Sequence, residues 1–220
     1  MCGKFTALAS WADIVAFSQS PTADRGPAAE NDREVAYRVM SVLPLIVWDP
    51  RQKRRRTLMA RWGFPQAQDW KRPQPIHARA ESIDTTQAFA GAFATGQRGI
   101  VLINTFNEAP DIPGPPIQHT ITPEGPRGIA FVWRKFAVGT PDPLYACVMV
   151  TVPANRLIAA LPTDRMPAVL VPEDWEIWLG EEPASPERIK ACLKTVEGVN
   201  WKMEKERRST PAASDPGGLF

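Results

Sequence analysis

The second residue of the chain, Cys2, has the most distinctive chemical potential in the sequence. A small side chain at position 2 permits removal of Met1, and the mature chain would then begin with a free α-amine beside a thiol. Reference pKa values of about 7.7–8.0 for the amine and about 8.5 for the thiol make this pair nucleophilic near neutral pH. Such an aminothiol condenses with an aldehyde to a Schiff base, and attack by the sulfur then closes a five-membered thiazolidine. The alternative is that Cys2 is an incidental residue in a frayed terminus.

Metal chemistry is not expected from this sequence. Its three cysteines and two histidines are Cys2, Cys147, Cys192, His77 and His119. They are too dispersed for the closely spaced ligands of a structural zinc site. We therefore expect no metal and no cofactor. The odd cysteine count without paired spacing also argues against a disulfide framework and for a reducing compartment.

Charge is distributed unevenly along the chain, although 26 basic and 24 acidic residues give a net charge of only +2. Residues 51–72 hold eight basic side chains and one acid, Asp69, whereas residues 173–187 hold six acids and no base. This difference predicts that the two regions face different surroundings. Because Trp62 and Trp70 interrupt the basic window, it suits single-stranded nucleic acid. A solvated basic loop beside two core tryptophans explains the same composition.

The elements that must position these residues are predicted to be mainly strands. The hydrophobic fraction of 44% suffices for a core, and 23 prolines exclude a chain of long helices. Apolar, β-prone runs predict strands at 36–48 (broken by Pro44), 57–62, 99–106, 128–138, 144–152 and 199–203. The pattern favours an α+β fold dominated by sheet. No apolar run is long enough to span a membrane, and we expect a cytoplasmic protein.

Short helices are predicted between these strands. Ser10 and Asp13 resemble a capping box that opens a helix through Phe17, followed by a loop over residues 18–34. Phe89 and Phe93 place one apolar face on a helix within Thr85–Ala94. Pro172 and Pro186 are typical of first helical turns, with Ser185 as a cap. We expect residues 204–220 to form a disordered tail.

Several motifs occur together in a specific order. They are Met1-Cys2-Gly3-Lys4-Phe5, Trp62-Gly63-Phe64, Ala78-Arg79-Ala80-Glu81, Phe106-Asn107-Glu108 and Asp164-Arg165-Met166-Pro167-Ala168-Val169-Leu170. In this combination the chain resembles the SOS response-associated peptidase (SRAP) family over residues 1–203. The resemblance implies a single compact domain with a mixed sheet, a barrel-like core and flanking short helices. It also implies a positively charged groove for single-stranded DNA.

The resemblance further implies covalent crosslinking to abasic sites through the mature N-terminal cysteine, and self-removal of Met1. An abasic deoxyribose in its ring-opened form presents the aldehyde that an aminothiol captures. The expected partner is therefore single-stranded DNA containing abasic sites, bound by a monomer associated with the nucleoid. Two other functions remain open from the sequence. One is a non-catalytic DNA-binding paralogue, and the other is an N-terminal-nucleophile amidohydrolase using the same Cys2.

Three further catalytic positions follow from the resemblance. Glu108 matches the family's catalytic glutamate, although Thr105 and Ala109 replace the usual flanking Gly and Trp. His77 stands where the family has asparagine, and Thr163 stands where it has histidine. One hypothesis is that His77 takes over the proton transfer that Thr163 cannot perform. The alternative is a diverged paralogue with weakened chemistry.

Five residues are expected to contact DNA from the same resemblance: Lys4, Arg38, Trp70, Arg79 and Arg165. Arg79 would clamp a phosphate, with a salt bridge to Glu81 as its structural alternative. Arg165 is either a groove residue or a buried partner for Asp164. Arg38 replaces an uncharged polar groove residue of the family.

Overall fold

The computed structural model describes residues 2–7, 35–66, 74–113, 117–137 and 141–206. Its strands are β1 Lys4–Ala7, β2 Val35–Arg38, β3 Val42–Asp49, β4 Arg54–Trp62, β5 His77–Arg79, β6 Arg98–Ile103, β7 Thr105–Glu108, β8 His119–Thr122, β9 Arg127–Phe136, β10 Leu144–Pro153, β11 Arg165–Pro167, β12 Val169–Leu170 and β13 Lys202–Lys205. Its α helices are α1 Ala90–Ala94, α2 Trp175–Leu179 and α3 Pro186–Ala191. Single 3-10 turns occupy Ala80–Ser82, Ile158–Ala160 and Pro172–Asp174.

Five strands close into a barrel in the order β10-β4-β3-β6-β9, because β10 pairs with both β4 and β9. The β4–β10 pairing is parallel, and the other pairings of the ring are antiparallel. Two short strands, β5 and β11, add to β10, and β12 adds to β9. This arrangement confirms the predicted α+β class with a mixed sheet, a barrel-like core and flanking short helices.

A second sheet of five antiparallel strands, ordered β13-β8-β7-β1-β2, packs on the barrel. Alternate residues of β1 face the barrel core, and the Phe5 ring lies 5.2 Å from the Trp62 ring and 6.4 Å from Phe131. Trp62 is fully buried and its indole N–H donates to the Ile76 carbonyl. Trp62 is therefore a core residue, as the sequence analysis allowed. The second sheet brings the start of the chain against the barrel.

The later helices begin where the sequence predicts. Pro172 opens a 3-10 turn that leads into α2, and Pro186 is the first residue of α3. The Ser185 hydroxyl accepts the Arg188 backbone N–H at 3.3 Å and so caps α3. The helix expected within Thr85–Ala94 is shorter than predicted and begins at Ala90, because the preceding residues form turns on the Ser82 carbonyl.

Two expectations about the barrel surface are wrong. Pro44 does not break the first long strand but lies within β3 opposite Met59, where its missing N–H is tolerated because β3 pairs with β6 only at Ile46. The basic and acidic regions do not face different surroundings, since Arg55 of β4 forms an ion pair with Glu181 at 2.6 Å. Strand β4 places Arg55 next to the C-terminal end of α2, and Glu181 lies two residues after the last residue of that helix.

Some predictions lie outside the described residues, namely the helix from Ser10 to Phe17, the loop over 18–34 and most of the tail at 204–220. Among the described residues, no helix is both long enough and apolar enough to cross a membrane.

Candidate active site

Cys2 lies just before β1 and is almost completely buried, with 1% of its surface exposed. Its thiol donates to the Lys4 carbonyl at 3.3 Å. Burial raises the pKa of this thiol well above its ordinary value, and the nearby Glu108 carboxyl raises it further. In this environment the sulfur holds its proton.

Glu108 is the last residue of β7 and is fully buried. Strand β7 is antiparallel to β1 with Phe106 opposite Phe5, and continuing this register places Glu108 opposite Gly3, beside Cys2. Because strand residues alternate, Glu108 shares the core-facing side of Phe106. Burial raises the pKa of Glu108 to about 7, although a hydrogen bond from the Cys2 backbone N–H opposes the shift. The carboxyl is thus poised between acid and base near neutral pH.

His77 approaches Cys2 from the barrel side. It opens β5, which is held parallel to β10 with His77 opposite Met149. Its Nε2 lies 2.7 Å from the Cys2 carbonyl oxygen, and its ring packs edge-on to Trp62 at 6.3 Å. Burial lowers the pKa of His77, so the neutral ring donates its Nε2–H to that oxygen. The imidazole therefore holds the backbone of the nucleophile in place.

Three residues far apart in sequence thus meet at one point. Cys2 supplies a thiol and the nitrogen of the Met1–Cys2 peptide bond, Glu108 faces that nitrogen, and His77 holds the carbonyl on the other side of the residue. This arrangement can move protons on and off a nitrogen whose neighbour is a nucleophilic sulfur. Both hydrolysis of the preceding peptide bond and condensation of the freed amine need that transfer.

Thr163 lies in a buried turn between the 3-10 turn at Ile158–Ala160 and β11, with 8% of its surface exposed. The carbonyl of the preceding Pro162 accepts the Asp111 N–H at 2.7 Å, which ties this turn to the segment that follows Glu108. Among the described residues, the Thr163 hydroxyl has no hydrogen-bond partner. A threonine here cannot exchange a proton near neutral pH.

Arg79 and Arg38 are exposed and face solvent from β5 and β2. Arg79 lies two residues after His77 and therefore on the same side of β5. Within the described ranges, neither guanidinium forms a hydrogen bond or an ion pair, so the alternative of an Arg79–Glu81 salt bridge is not formed there. Both side chains are available to a phosphate beside the site.

Arg165 is buried and makes a two-pronged ion pair with Glu81, at 2.6 and 2.9 Å, and donates to the Thr151 carbonyl at 2.6 Å. The sequence-based alternative of a buried pair with Asp164 is wrong. Adjacent strand residues point to opposite sides, so Asp164 faces solvent while Arg165 points across β10 toward the turn after β5. The guanidinium lowers the pKa of Glu81.

Comparisons with known proteins show the family to which the chain belongs. The family model described as SOS response associated peptidase (SRAP) matches residues 1–208. The chain belongs to this family. The abasic site processing protein YoqW of Bacillus subtilis (strain 168) is 26% identical over 200 residues, which cover 88% of this chain and 87% of YoqW.

Solved structures show the same SRAP-like fold. A protein from Bacteroides thetaiotaomicron matches with a TM-score of 0.80 and 18% identity, covering 94% of this chain and 93% of the other. A protein from Bordetella bronchiseptica matches with a TM-score of 0.75 and 18% identity, covering 94% of this chain and 100% of the other. At this identity the likeness establishes the fold alone.

Two further residues, Lys4 and Trp70, were expected to contact DNA. Lys4 is on the outer face of β1, where its ammonium pairs with Glu206 at 2.8 Å. Trp70 lies outside the described residues.

Sequence reasoning missed three polar residues around the site. Asn107, beside Glu108, donates to Glu206 at 2.8 Å. His119 of β8 stands directly opposite Glu108 in the β7–β8 register. The Phe-Asn-Glu motif already contained Asn107, whereas Glu206 and His119 carry no sequence signal, since only strand pairing brings them here.

Proposed function

We propose that this SRAP chain senses abasic sites in single-stranded DNA, captures them as a thiazolidine crosslink through Cys2, and first removes its own Met1. The observation that carries the proposal is the buried Glu108 carboxyl. It lies beside the Cys2 nitrogen and has a pKa of about 7. That nitrogen belongs to the peptide bond to be cut and becomes the amine that attacks the aldehyde. The name of the relative YoqW, an abasic site processing protein, supports the substrate.

Removal of Met1 would use both groups of Cys2. The sulfur adds to the Met1 carbonyl carbon, and protonated Glu108 delivers its proton to the departing Cys2 nitrogen. The Glu108 carboxylate formed in this way takes up the proton that the thiol loses, so the carboxyl is restored. The resulting thioester is hydrolysed by water, which releases methionine and restores the thiol. His77 keeps its bond to the Cys2 carbonyl, so the sulfur and nitrogen of this residue stay aligned with Glu108.

Capture of the lesion uses Glu108 again as the group that donates and accepts protons. The freed amine adds to the aldehyde of the ring-opened deoxyribose, and Glu108 protonates the hydroxyl of the carbinolamine so that water leaves. The thiol then adds to the imine carbon and its proton passes to the nitrogen, closing the ring. Because the raised thiol pKa keeps the sulfur protonated, the amine attacks first. A carboxyl whose pKa is raised by burial can act as acid in one step and base in the next.

Recognition of the strand would fall to the exposed arginines. Arg79 shares one side of β5 with His77, and Arg38 lies opposite Lys4 at the edge of the second sheet. Both would bind phosphates on either side of a nucleotide held at Cys2. The buried Arg165 instead fixes the turn after β5 through Glu81 and so would support Arg79 indirectly.

The test uses an oligonucleotide with one abasic site, a denaturing gel and intact mass. We expect a stable adduct whose mass equals the chain without Met1 plus the oligonucleotide minus one water. Cys2→Ser, from which an added methionine aminopeptidase has removed Met1 as intact mass shows, keeps the amine but cannot close a thiazolidine, so its adduct should survive denaturation only after borohydride reduction. Cys192→Ala, which removes another buried cysteine, is the matched control and should react normally. A full yield of unreduced adduct with Cys2→Ser would refute the thiazolidine.

A second candidate is a non-catalytic paralogue that binds single-stranded DNA. The buried Thr163 hydroxyl favours it, because it stands where the resemblance places a histidine and cannot supply a proton. This candidate expects salt-sensitive binding that depends on Arg79, with no covalent product under any condition. The adduct assay above separates the two.

A further inference from the structure

A single carboxylate oxygen near the active site collects three donors from three strands. The Oε1 atom of Glu206 accepts from Lys4 Nζ at 2.8 Å, from Asn107 Nδ2 at 2.8 Å and from Thr120 Oγ1 at 3.4 Å. Lys4 is on β1, Asn107 on β7 and Thr120 on β8, so the donors form a row across the outer face of the second sheet. The hydrogen bond from Lys4 is the main cause of the lowered pKa of Glu206.

We propose that Lys4, Asn107 and Thr120 form a phosphate-binding site of the DNA groove, and that Glu206 is an internal occupant which the DNA must displace. The inference rests on the proposed function and specifies how the DNA strand engages beside Cys2. A cation, an amide and a hydroxyl converging on one anionic oxygen are the donors that also bind a phosphate oxygen. The Glu206 carboxylate therefore stands where one phosphate oxygen would bind.

The position of this row links it to the nucleophile. The Lys4 carbonyl accepts a hydrogen bond from the Cys2 thiol, and Asn107 directly precedes Glu108 in the chain. Arg38 lies opposite Lys4 on β2, so the exposed face continues toward the exposed Arg38 guanidinium. A strand with its abasic residue at Cys2 would pass its neighbouring phosphate over this row.

The ion pair between Lys4 and Glu206 is weak enough for a DNA phosphate to replace the Glu206 carboxylate. Its two charged partners are about a third exposed, at 28% for Lys4 and 32% for Glu206, and ion pairs of this exposure contribute little net stability. Strand β13 is a four-residue edge strand, and the Glu206 backbone N–H donates to the Gln118 carbonyl at its end. Edge segments of this kind open more easily than the core. Displacement of Glu206 would thus leave the barrel intact.

The test measures binding of undamaged oligothymidylate as a function of salt. Glu206→Gln keeps the shape of the side chain but removes its charge, and Glu204→Gln is the matched control on the same strand. We expect Glu206→Gln to raise affinity about threefold to fivefold, as loss of one weak ion pair allows. It should also steepen the slope of log K against log salt by about 0.7, because the phosphate that Lys4 neutralises releases its counterion and no displaced Glu206 carboxylate takes one up. Glu204→Gln should change neither quantity by as much.

A double variant locates the effect. Lys4→Gln in the Glu206→Gln background should cancel the gain and restore the wild-type slope. Equal gains for Glu206→Gln and Glu204→Gln, or a gain that survives Lys4→Gln, would overturn the inference, as would absence of oligothymidylate binding at low salt. The outcome is separate from crosslinking, since a gain specific to Glu206→Gln with no abasic adduct would support the phosphate site and refute the proposed function.

Discussion

The two ends of the β6–β7 segment each bury a charged side chain, but with opposite results. Arg98, at the start of β6, is 4% exposed and donates to the carbonyls of Trp178 at 2.5 Å and Phe93 at 2.6 Å. Its guanidinium also lies over the rings of those two residues. Glu108, at the end of β7, is fully buried, and burial raises its pKa to about 7.

The difference lies in what each charge faces. Arg98 donates to carbonyls in the last turns of α1 and α2, so its permanent positive charge faces the negative ends of two helices. Glu108 faces the backbone nitrogen of the nucleophile, and its charge can disappear by taking a proton. One end of the segment therefore stabilises the fold, while the other holds a group whose protonation remains adjustable.

The largest effect that would test this contrast is loss of chemistry at Glu108. Glu108→Gln keeps the size of the side chain but cannot transfer a proton, so the rate of abasic crosslinking should fall at least about 100-fold. A time course on the denaturing gel measures it, using wild-type and Glu108→Gln chains from which an added methionine aminopeptidase has removed Met1, as intact mass shows. A rate within a few-fold of wild type would mean that the carboxyl is structural.

At the other end, Arg98→Met should cost stability and leave chemistry alone. The substitution removes two charge-assisted hydrogen bonds and leaves the Phe93 and Trp178 carbonyls without that donor, which is worth about 3 kcal/mol. Urea unfolding measures the loss, with exposed Arg156→Met as a control expected to change stability by less than about 0.5 kcal/mol. If Arg98→Met lowered the crosslinking rate of the folded protein instead, the two ends would not be separate.

The pH dependence of stability should carry the mark of Glu108. Its pKa rises from 4.5 in the unfolded chain to about 7 in the fold, so the native state binds this proton more tightly. The stabilisation is complete below pH 4.5 and is lost as pH rises through about 7, by about 3 kcal/mol in total. Glu108→Gln should remove this fall and be the more stable protein at pH 8.

Urea unfolding at several pH values checks this expectation. It is done on chains that retain Met1, because the pKa of about 7 is that of Glu108 in the chain with Met1 in place. Parallel pH profiles for wild type and Glu108→Gln would contradict the assignment.

The strands could be predicted because each one corresponds to an apolar, β-prone run that is visible within its own segment of the sequence. Closure of the barrel was not, since the parallel β4–β10 pair joins Arg61 to Ala146 across a long stretch of chain. Long-range pairing also explains why the predicted strand break at Pro44 is wrong. Whether a proline breaks a strand depends on whether a neighbouring strand would accept a hydrogen bond from the N–H that proline lacks, and β6 pairs with β3 only at Ile46. Sequence patterns reveal which segments are strands, and long-range pairing decides which edges are free.

The site divides in the same way. Motifs and N-terminal chemistry singled out Cys2, Glu108 and His77, and the structure brings these together. Motifs did not identify the partner of Arg165, because Glu81 reaches it only across β10. Side chains contributed by edge pairings, such as Glu206, leave no local signature at all.

A smaller effect separates two roles for His77. If the ring only donates Nε2–H to the Cys2 carbonyl, His77→Asn should crosslink within about threefold of wild type, because an amide can donate likewise. His77→Ala should then be about tenfold slower, as loss of one hydrogen bond predicts. Crosslinking rates measured between pH 6 and 8 decide the matter. A 100-fold loss in His77→Asn would instead support proton transfer by the imidazole.

The smallest effect is expected at Thr163, whose hydroxyl is buried without a partner among the described residues. Thr163→Val replaces the hydroxyl with a methyl group and should leave crosslinking unchanged while raising stability by up to about 1 kcal/mol. Thr163→His adds a titratable group at the same place and should accelerate release of the crosslink, measured as loss of adduct after excess aldehyde trap is added. Slower crosslinking in Thr163→Val would show that the hydroxyl takes part in the reaction. Unchanged release in Thr163→His would remove this position from the proton path and leave Glu108 as its titrating member.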